Sequence, residues 1–248
     1  MTVGNPHTRT PAAPTRPLLT YLLGSLELAA TENTFRRLVY EVSGGGCPCL
    51  LLCEHSPGIS VGRDGSRAHI RLTSDELTSL RWNVQWLARG GGVLLHAPGQ
   101  LACYPVFSLA ELGLTPAGYV AVLGELAVEL FRSFGVTAHF DSERPGVRVG
   151  SRRAAHIGVA IHSGVTTFGL VVNVAPDLEL FRDLDCDGDP LPMTSLQREC
   201  PTRVRPQAVR QRLMELVAAR FGFERLSVLH HHPTFFPKPT RHAISHRH

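Results

Sequence analysis

The stretch RGGGVLLHAPGQLACYP, residues 89–105, decides which fold this chain is expected to adopt. Three glycines follow Arg89, and then come a short apolar run, His96 and a Pro-Gly-Gln turn. Glycine loses more conformational entropy on folding than other residues, so it is expected where φ is positive or where another group approaches the backbone closely. A ligand lying along the main chain is one such group, and the segment is therefore a candidate binding site.

The composition indicates one large domain that binds neither nucleic acid nor membrane. The chain has 248 residues, of which 43% are hydrophobic, and this is enough for a substantial core. The formal net charge of +4 comes from dispersed arginines, without the basic block and interleaved aromatics of a nucleic-acid surface. No apolar run approaches the roughly 20 residues that span a bilayer. The basic excess favours docking of an acidic carrier protein.

Six cysteines without a secretory signal predict reduced thiols and a cytoplasmic location. Cys47, Cys49, Cys53 and His55 are of metal-ligand types, but on a strand rising ~3.3 Å per residue the first and last lie about 26 Å apart. They cannot meet at one ion, so no metal is predicted. The sequence also lacks a dinucleotide fingerprint and a Walker A lysine, and no cofactor is predicted.

Three segments are expected along the chain. Residues 1–17, rich in Pro, Thr and Arg, are predicted to be a disordered arm, and residues 230–248, rich in His and Pro, a flexible tail. A His-rich tail can also scavenge metal, although nothing in the sequence fixes its geometry. Residues 18–229 are predicted to form the folded domain.

Helix and strand signals are mixed within that domain. The segment 115–135 has Thr115 as N-cap, a proline at the first helical position and a closing glycine, which predicts a helix. Further helices are predicted over Pro206–Phe221 and about Ala30–Val42. Strands are predicted in CPCLLLCEH, VQWLA, GVLLH, LACYPVF, AAHIGVAI and TTFGLVVNV. The fold class is therefore α+β, a single domain with a mixed or antiparallel sheet.

Four segments in order, 54–65, 89–105, 156–161 and 168–181, resemble the octanoyltransferase family, which is related to lipoate-protein and biotin-protein ligases. The family's glycine segment reads R-G-G-x-V-T-[YW]-H-G-P-G-Q-L-x-x-Y-P. This chain matches it at Arg89, Gly90, Gly91, Val93, His96, Pro98, Gly99, Gln100, Leu101, Tyr104 and Pro105. The likeness runs from about Leu18 to Gly222, and its P-G-Q-L-x-x-Y-P ending separates the transferases from the ATP-using ligases.

The resemblance implies the fold of the ligase catalytic domains and a tunnel for a medium-chain acyl group. It implies transfer of octanoyl from acyl carrier protein to a lysine of a lipoyl domain of 2-oxoacid dehydrogenase or glycine cleavage proteins. Backbone donors along the tunnel would polarise the acyl oxygen. The matching wall positions are Arg89, Gly90, Gly91, Gly92, Val93, Leu94, Leu95, His96, His156, Ile157, Gly158, Gly169, Leu170 and Val171.

Both catalytic positions of the family differ in this chain. The family uses a cysteine that takes the acyl group as a thioester and a lysine that lowers the pKa of that thiol. An ungapped alignment places Arg153 at the lysine and Asp187 at the cysteine, and Cys186 stands one residue out of register. Arginine is a poor proton acceptor, and a neighbouring carboxylate is expected to raise the pKa of the Cys186 thiol. Phe168 stands where the family has a histidine.

Three hypotheses remain open from the sequence. In the first, Cys186 is a displaced nucleophile with Arg153 as the partner of its thiolate. In the second, an Arg153–Asp187 ion pair preserves the pocket of an inactive relative that binds an acyl chain or a lipoyl domain. In the third, the chain transfers the acyl group directly by positioning the two substrates, with Asp187 as general base.

Overall fold

An eight-stranded mixed sheet carries the fold in the computed structural model, which describes residues 16–230. Its strand order is β11-β1-β2-β6-β10-β9-β8-β7, with β1 parallel to β2 and β11 and the remaining pairs antiparallel. The strands are β1 (Leu18–Leu26), β2 (Cys49–His55), β6 (Gln100–Val106), β7 (His139–Asp141), β8 (Gly146–Val149), β9 (Arg152–His162), β10 (Val165–Asn173) and β11 (Leu226–Leu229).

Helices cover both faces of this sheet, which explains the unbroken apolar run of β2. Leu50 and Leu52 point to a core shared with α4 (Pro116–Ser133) and α6 (Pro206–Phe221). Leu51 and Cys53 point to the opposite core, which includes α1 (Leu28–Ser43). Successive side chains of a strand alternate between faces, so a strand buried on both faces is apolar at every position.

The ends of α4 follow the predicted capping chemistry. The Thr115 side chain accepts a hydrogen bond from the Gly118 amide, at 3.1 Å, and proline occupies the first turn. Gly135, after the last turn, has a φ of +76°, in the left-handed region that glycine occupies at little cost. Among the described residues the remaining α-helices are α2 (Ser74–Leu80), α3 (Leu109–Leu112) and α5 (Leu196–Glu199).

A second, three-stranded sheet places the glycine segment beside the main sheet. It has the order β4-β3-β5 and consists of β3 (Gly58–Val61), β4 (Asn83–Trp86) and β5 (Val93–His96). Its buried side chains form a third core, which also includes Leu184 and Cys186 from the segment after β10. The glycines at 90–92 therefore lie between the small sheet and the main one.

The predicted α+β class with a mixed sheet is confirmed. The helix predicted over Pro206–Phe221 has those bounds. The helix predicted about Ala30–Val42 extends over Leu28–Ser43. The strand predicted in VQWLA is observed over Asn83–Trp86. Strands β1, β3, β7, β8 and β11 were not predicted. Apart from β1 they have only three or four residues each, which is too short for a periodic pattern to be recognised, and β11 is exposed at all four positions.

The regular elements begin at Leu18 and end at Leu229. Residues 1–15 and 231–248, which hold most of the predicted arm and tail, lie outside the described residues. None of the described helices is long and apolar enough to cross a membrane. Within residues 16–230, no group of three or more His, Cys, Asp or Glu side chains is arranged to hold a metal ion.

Candidate functional site

The glycine segment has no side chains at positions 90–92 because other parts of the protein pack closely against its backbone. A Cβ atom added at Gly92 would lie 2.7 Å from the Cα of Asp187, and one added at Gly158 would lie 2.7 Å from the carbonyl oxygen of Gly90. Gly91 has a φ of +77°, a backbone conformation that residues other than glycine rarely adopt. The close approach expected of a ligand is thus made by the loop that carries Asp187 and by β9.

The amides of the three glycines already have protein acceptors. Gly90 donates to the Val159 carbonyl oxygen at 2.9 Å, and Gly91 donates to Asp64 Oδ2 at 2.9 Å. Gly92 donates to Asp187 Oδ1 at 2.8 Å. Because each amide has one hydrogen to donate, polarisation of an acyl oxygen would need a donor other than these three.

Asp187 occupies a tight turn at the end of the loop after β10. Both Asp187 and Gly188 have positive φ, 55° and 66°, and the Asp189 amide donates to the Cys186 carbonyl oxygen at 3.0 Å. Asp-Gly is a preferred pair for a turn with two positive φ values. The Asp187 amide also donates to the Val93 carbonyl oxygen at 2.9 Å, which fixes the turn against β5.

His156 and Asp187 form a buried hydrogen-bonded pair. His156 lies on β9, and its Nδ1 is 2.8 Å from Asp187 Oδ2. Burial lowers the pKa of His156, against the opposing effect of Asp187, so the ring is neutral near pH 7 and Nδ1 carries the donated hydrogen. Burial alone would raise the pKa of Asp187, but His156, the Gly92 amide and Arg153 together lower it to about 2. Nε2 of His156 is buried without a hydrogen-bond partner among the described residues.

Arg153 lies behind this pair with its side chain 0% exposed. Its Nη1 is 3.8 Å from Asp187 Oδ2 and donates to the Arg144 carbonyl oxygen at 3.0 Å. Its Nη2 lies 3.4 Å from both Asp141 Oδ2 and Asp189 Oδ2. Arg153 therefore shares its charge among three carboxylates, and Asp187 receives only part of it.

Cys186 points away from Asp187, into the core of the small sheet. Burial, followed by the neighbouring Asp187 carboxylate, raises the pKa of its thiol to about 12. A reactive cysteine needs an accessible thiolate near neutral pH. This location does not favour Cys186 as a nucleophile, and that role stays a prediction.

A narrow cavity of about 10 Å³, the space of about one water molecule, adjoins the His156–Asp187 pair. Of the wall positions that the resemblance implies, those that line this cavity are Arg89, Leu94, His96, His156, Ile157, Gly158, Gly169 and Val171. Leu28, Leu87, Tyr104, Phe168 and Asp187 complete the lining. Leu28, Leu87 and Tyr104 were not predicted as site residues. Tyr104 belongs to the matched motif of residues 89–105, which could have indicated it, whereas no local pattern marks Leu28 and Leu87.

The other predicted wall residues do not line the cavity. Gly90, Gly91, Gly92, Val93, Leu95 and Leu170 are absent from its lining, as are Arg153 and Cys186. Val93 and Leu95 pack in the core of the small sheet, and Leu170 packs against the core of α4 and α6. Leu94 and His96 lie on the opposite face of β5 and reach the cavity. Because side chains alternate between the two faces of a strand, the sequence could have predicted that Leu94 and His96 share one face and Val93 and Leu95 the other.

Arg89 brings a buried guanidinium group to the cavity. Its Nη2 donates to the Ser60 carbonyl oxygen at 3.1 Å, to Ser60 Oγ at 2.7 Å and to the Gly92 carbonyl oxygen at 3.1 Å. Ser60 Oγ is in turn 2.8 Å from His96 Nε2. The Nε atom of Arg89 is buried without a hydrogen-bond partner in the described part of the chain.

Phe168 lines both this cavity and a larger depression of about 390 Å³. The lining of the depression mixes apolar residues with Glu32, Arg36, His162 and Thr167, although most of its exposed surface is apolar. The Phe168 ring packs edge-on against Phe35 and Tyr104, with centroids 4.8 Å and 5.9 Å apart. The ring thus contacts both the small cavity, which holds His156 and Asp187, and the larger, mainly apolar depression.

The fold is that of the lipoate-protein ligase catalytic domain. Lipoate-protein ligase A bound with ATP aligns with a TM-score of 0.65 at 17% identity, covering 86% of this chain and 89% of that one. A bipartite lipoate protein ligase from Thermoplasma acidophilum aligns with a TM-score of 0.63 at 17% identity, covering 87% of each chain. At this level of identity the likeness establishes the fold alone.

The chain belongs to the lipoyl protein ligase A/B catalytic domain family, which matches residues 27–218. The octanoyltransferase of Chloroflexus aggregans is 35% identical over 219 residues, 86% of this chain and 99% of that protein. The octanoyltransferase of Citrifermentans bemidjiense is 37% identical over 200 residues, 80% and 93% of the two chains. These relatives support a transferase of protein lipoylation.

Proposed function

We propose that this chain transfers an octanoyl group from acyl carrier protein to a lysine of a lipoyl domain, directly and without an acyl-enzyme intermediate. The observation that carries the proposal is the cavity lined by His156 and Asp187, which shares Phe168 with a mainly apolar depression of about 390 Å³. The octanoyltransferase relatives support the reaction class.

The absence of a suitably placed thiol favours direct transfer. None of the residues that line the cavity is a cysteine, and Asp187 stands at the position where the resemblance expects one. A carboxylate with a pKa of about 2 is a weak nucleophile towards a thioester. Holding a thioester and an amine together in reactive geometry can supply roughly 7 to 11 kcal/mol of the barrier reduction, so transfer does not require a covalent intermediate.

An acyl chain can enter only after side chains move. The 10 Å³ cavity is too small for eight carbons, whereas the depression beyond Phe168 lies in the size range of ordinary ligand sites. Rotation of the Phe168 ring would connect the two spaces. The thioester carbonyl would then lie in the small cavity, near Arg89 and His156, with the chain in the mainly apolar depression.

The experiment is to incubate the full chain with octanoyl-acyl carrier protein and a lipoyl domain and to follow both proteins by intact mass. We expect octanoylated lipoyl domain, no octanoyl adduct on the chain, and initial rates that fit a sequential pattern in the two substrates. Cys186→Ala is expected to retain the rate. A hydroxylamine-sensitive adduct that disappears in Cys186→Ala would instead support the nucleophilic role of that cysteine.

An inactive binding relative is the second candidate function. The pairing of Asp187 with both His156 and Arg153, together with the closed cavity, favours it. In that case the lipoyl domain or octanoate binds to the chain, as measured by calorimetry, while the lipoyl domain gains no octanoyl group at any substrate concentration.

A further inference from the structure

We infer that His156 is the general base of the transfer and that Asp187 is the positioning residue that holds its ring in the reactive tautomer. This inference rests on the proposed function and assigns the proton transfer within it to a specific atom, His156 Nε2.

The geometry of the pair determines which ring nitrogen can act. Asp187 Oδ2 accepts from Nδ1 at 2.8 Å, so the only hydrogen of the neutral ring is on Nδ1 and the lone pair is on Nε2. Nε2 is buried and has no hydrogen-bond partner in the described part of the chain, although its residue lines the cavity. A buried polar atom without a partner costs free energy, which a substrate proton would recover.

The contacts of Asp187 allow it to orient the His156 ring but do not favour Asp187 itself as the general base. Oδ1 accepts from the Gly92 amide at 2.8 Å and Oδ2 accepts from His156, so each oxygen already has a donor. The positive φ of Asp187 and the hydrogen bond from its amide to the Val93 carbonyl oxygen fix the turn. A hydrogen-bonded carboxylate on the far nitrogen is the usual means of fixing the tautomer of a catalytic histidine.

His96 lines the same cavity but is less suited to act as the base. Its Nε2 lies 2.8 Å from Ser60 Oγ, which also accepts from Arg89. Its pKa is lowered well below the usual value by burial, with further lowering from His55, Arg89 and His156. No carboxylate contacts its ring among the described hydrogen bonds. Of the two histidines that line the cavity, only His156 combines a carboxylate partner with an unpartnered nitrogen.

Burial is the main reason that the His156 ring is neutral near pH 7, and the charged groups that face it modify its pKa in both directions. Asp187 faces it from the loop after β10, Arg153 from its own strand, and Arg89 and His96 from the segment around β5. Tyr104 of β6 lines the same cavity, and burial raises the pKa of its hydroxyl, so it is neutral. Burial and the two arginines lower the pKa of His156, and only Asp187 raises it.

The chemical step is balanced without any further reactant. The lipoyl lysine, after loss of one proton to solvent, attacks the thioester carbon, and a C–N bond forms while the carbonyl π electrons move to oxygen. His156 Nε2 takes the second proton from the attacking nitrogen. The tetrahedral intermediate then collapses, the C–S bond breaks, and His156 returns that proton to the leaving thiolate. The products are the octanoyl amide and the free thiol of the carrier.

Two variants test the inference through the rate of octanoyl transfer from octanoyl-acyl carrier protein. His156→Gln is expected to lower kcat by about 10²- to 10⁴-fold, the usual contribution of general acid–base catalysis. Asp187→Asn would donate to Nδ1 and move the ring hydrogen to Nε2, and it is expected to lower kcat to a similar extent. His139→Gln, at an exposed strand position, is the matched control and is expected to keep the wild-type rate.

The tautomer of His156 gives a readout that a purely structural role would not move. Long-range ¹⁵N–¹H correlation spectra of the wild-type chain are expected to show an unprotonated Nε2 and a protonated Nδ1, and the assignment reverses in Asp187→Asn. A plot of kcat against pH is expected to show that the wild-type kcat decreases as the pH falls below the usual range of histidine pKa values. His156→Gln is expected to lack that limb.

The outcomes separate the two proposals. If the wild type transfers octanoyl and His156→Gln retains its rate, or if wild-type Nε2 is the protonated nitrogen, the inference is overturned and the proposed function stands. If Asp187→Asn is inactive while His156→Gln is not, Asp187 itself is the base. If the wild type transfers nothing, the proposed function fails and the inference fails with it.

Discussion

The Gly92 amide nitrogen lies 2.8 Å from Asp187 Oδ1, and a Cβ atom at position 92 would lie 2.7 Å from the Cα of Asp187. The backbone of the glycine segment therefore packs directly against the backbone of the loop after β10. This contact joins the glycine segment, which carries the resemblance to the octanoyltransferases, to the position at which that resemblance expects the family's cysteine.

Gly92→Ala is expected to displace Asp187 and lower the transfer rate, because the new methyl group overlaps the Asp187 backbone. Overpacking of this kind typically costs about 1–3 kcal/mol of unfolding free energy. The control is Gly135→Ala, where φ is +76° and nothing lies within 4 Å of the added Cβ. Gly135→Ala is expected to lower the free energy of unfolding by about 1–2 kcal/mol through backbone strain and to keep the wild-type transfer rate. Equal rates for both variants in the transfer assay would contradict the coupling of Gly92 to the site.

Asp187→Cys is expected to convert direct transfer into transfer through a thioester. A thiol there would stand beside the His156 ring and within reach of the Arg153 charge, both of which favour a thiolate. Intact mass after incubation with octanoyl-acyl carrier protein should show one octanoyl group on this variant and none on the wild type. Asp187→Ala, which offers no nucleophile, is the control. An adduct on the wild-type chain would argue against the direct route.

Phe168→Ala is expected to join the cavity at His156 to the larger depression and to raise the affinity for octanoate. The same change removes a ring packed against Phe35 and Tyr104, and loss of a buried phenylalanine costs about 3–5 kcal/mol. Phe181→Ala is the matched control, since Phe181 is also 5% exposed but belongs to the core of the small sheet. Calorimetry should detect tighter octanoate binding only in Phe168→Ala. Unchanged affinity would show that Phe168 does not separate the two spaces.

The free energy of unfolding is expected to fall as pH decreases from about 6.5 to about 4. Burial lowers the pKa of His55 from 6.5 to about 4, so across this range the unfolded chain binds a proton that the folded chain does not. That difference amounts to about 3 kcal/mol for His55 alone. The lowered pKa values of His96 and His156 act in the same direction. Urea denaturation across this pH range measures the slope, and a stability that stays constant would contradict the burial of these neutral rings.

Local sequence determined the elements whose formation depends on neighbouring residues. Thr115, the following proline and Gly135 predicted α4, because caps and stops act within one helical turn. The apolar run of β2 predicted a strand. The glycine motif indicated the family, which the family model confirms. The assignment of Asp187 and Arg153 to the family's catalytic positions stays a prediction.

Tertiary structure alone decided which side chains meet. His156 and Asp187 are 31 residues apart, and only the pairing of β9 with β10 and the turn at Asp187-Gly188 brings them to 2.8 Å. The same turn directs Cys186 into a core and Asp187 to the cavity, a choice of face that one residue of register reverses. Sequence specifies caps and periodicity through contacts within a few residues. Long-range contacts depend on how all the elements pack, which no single segment encodes.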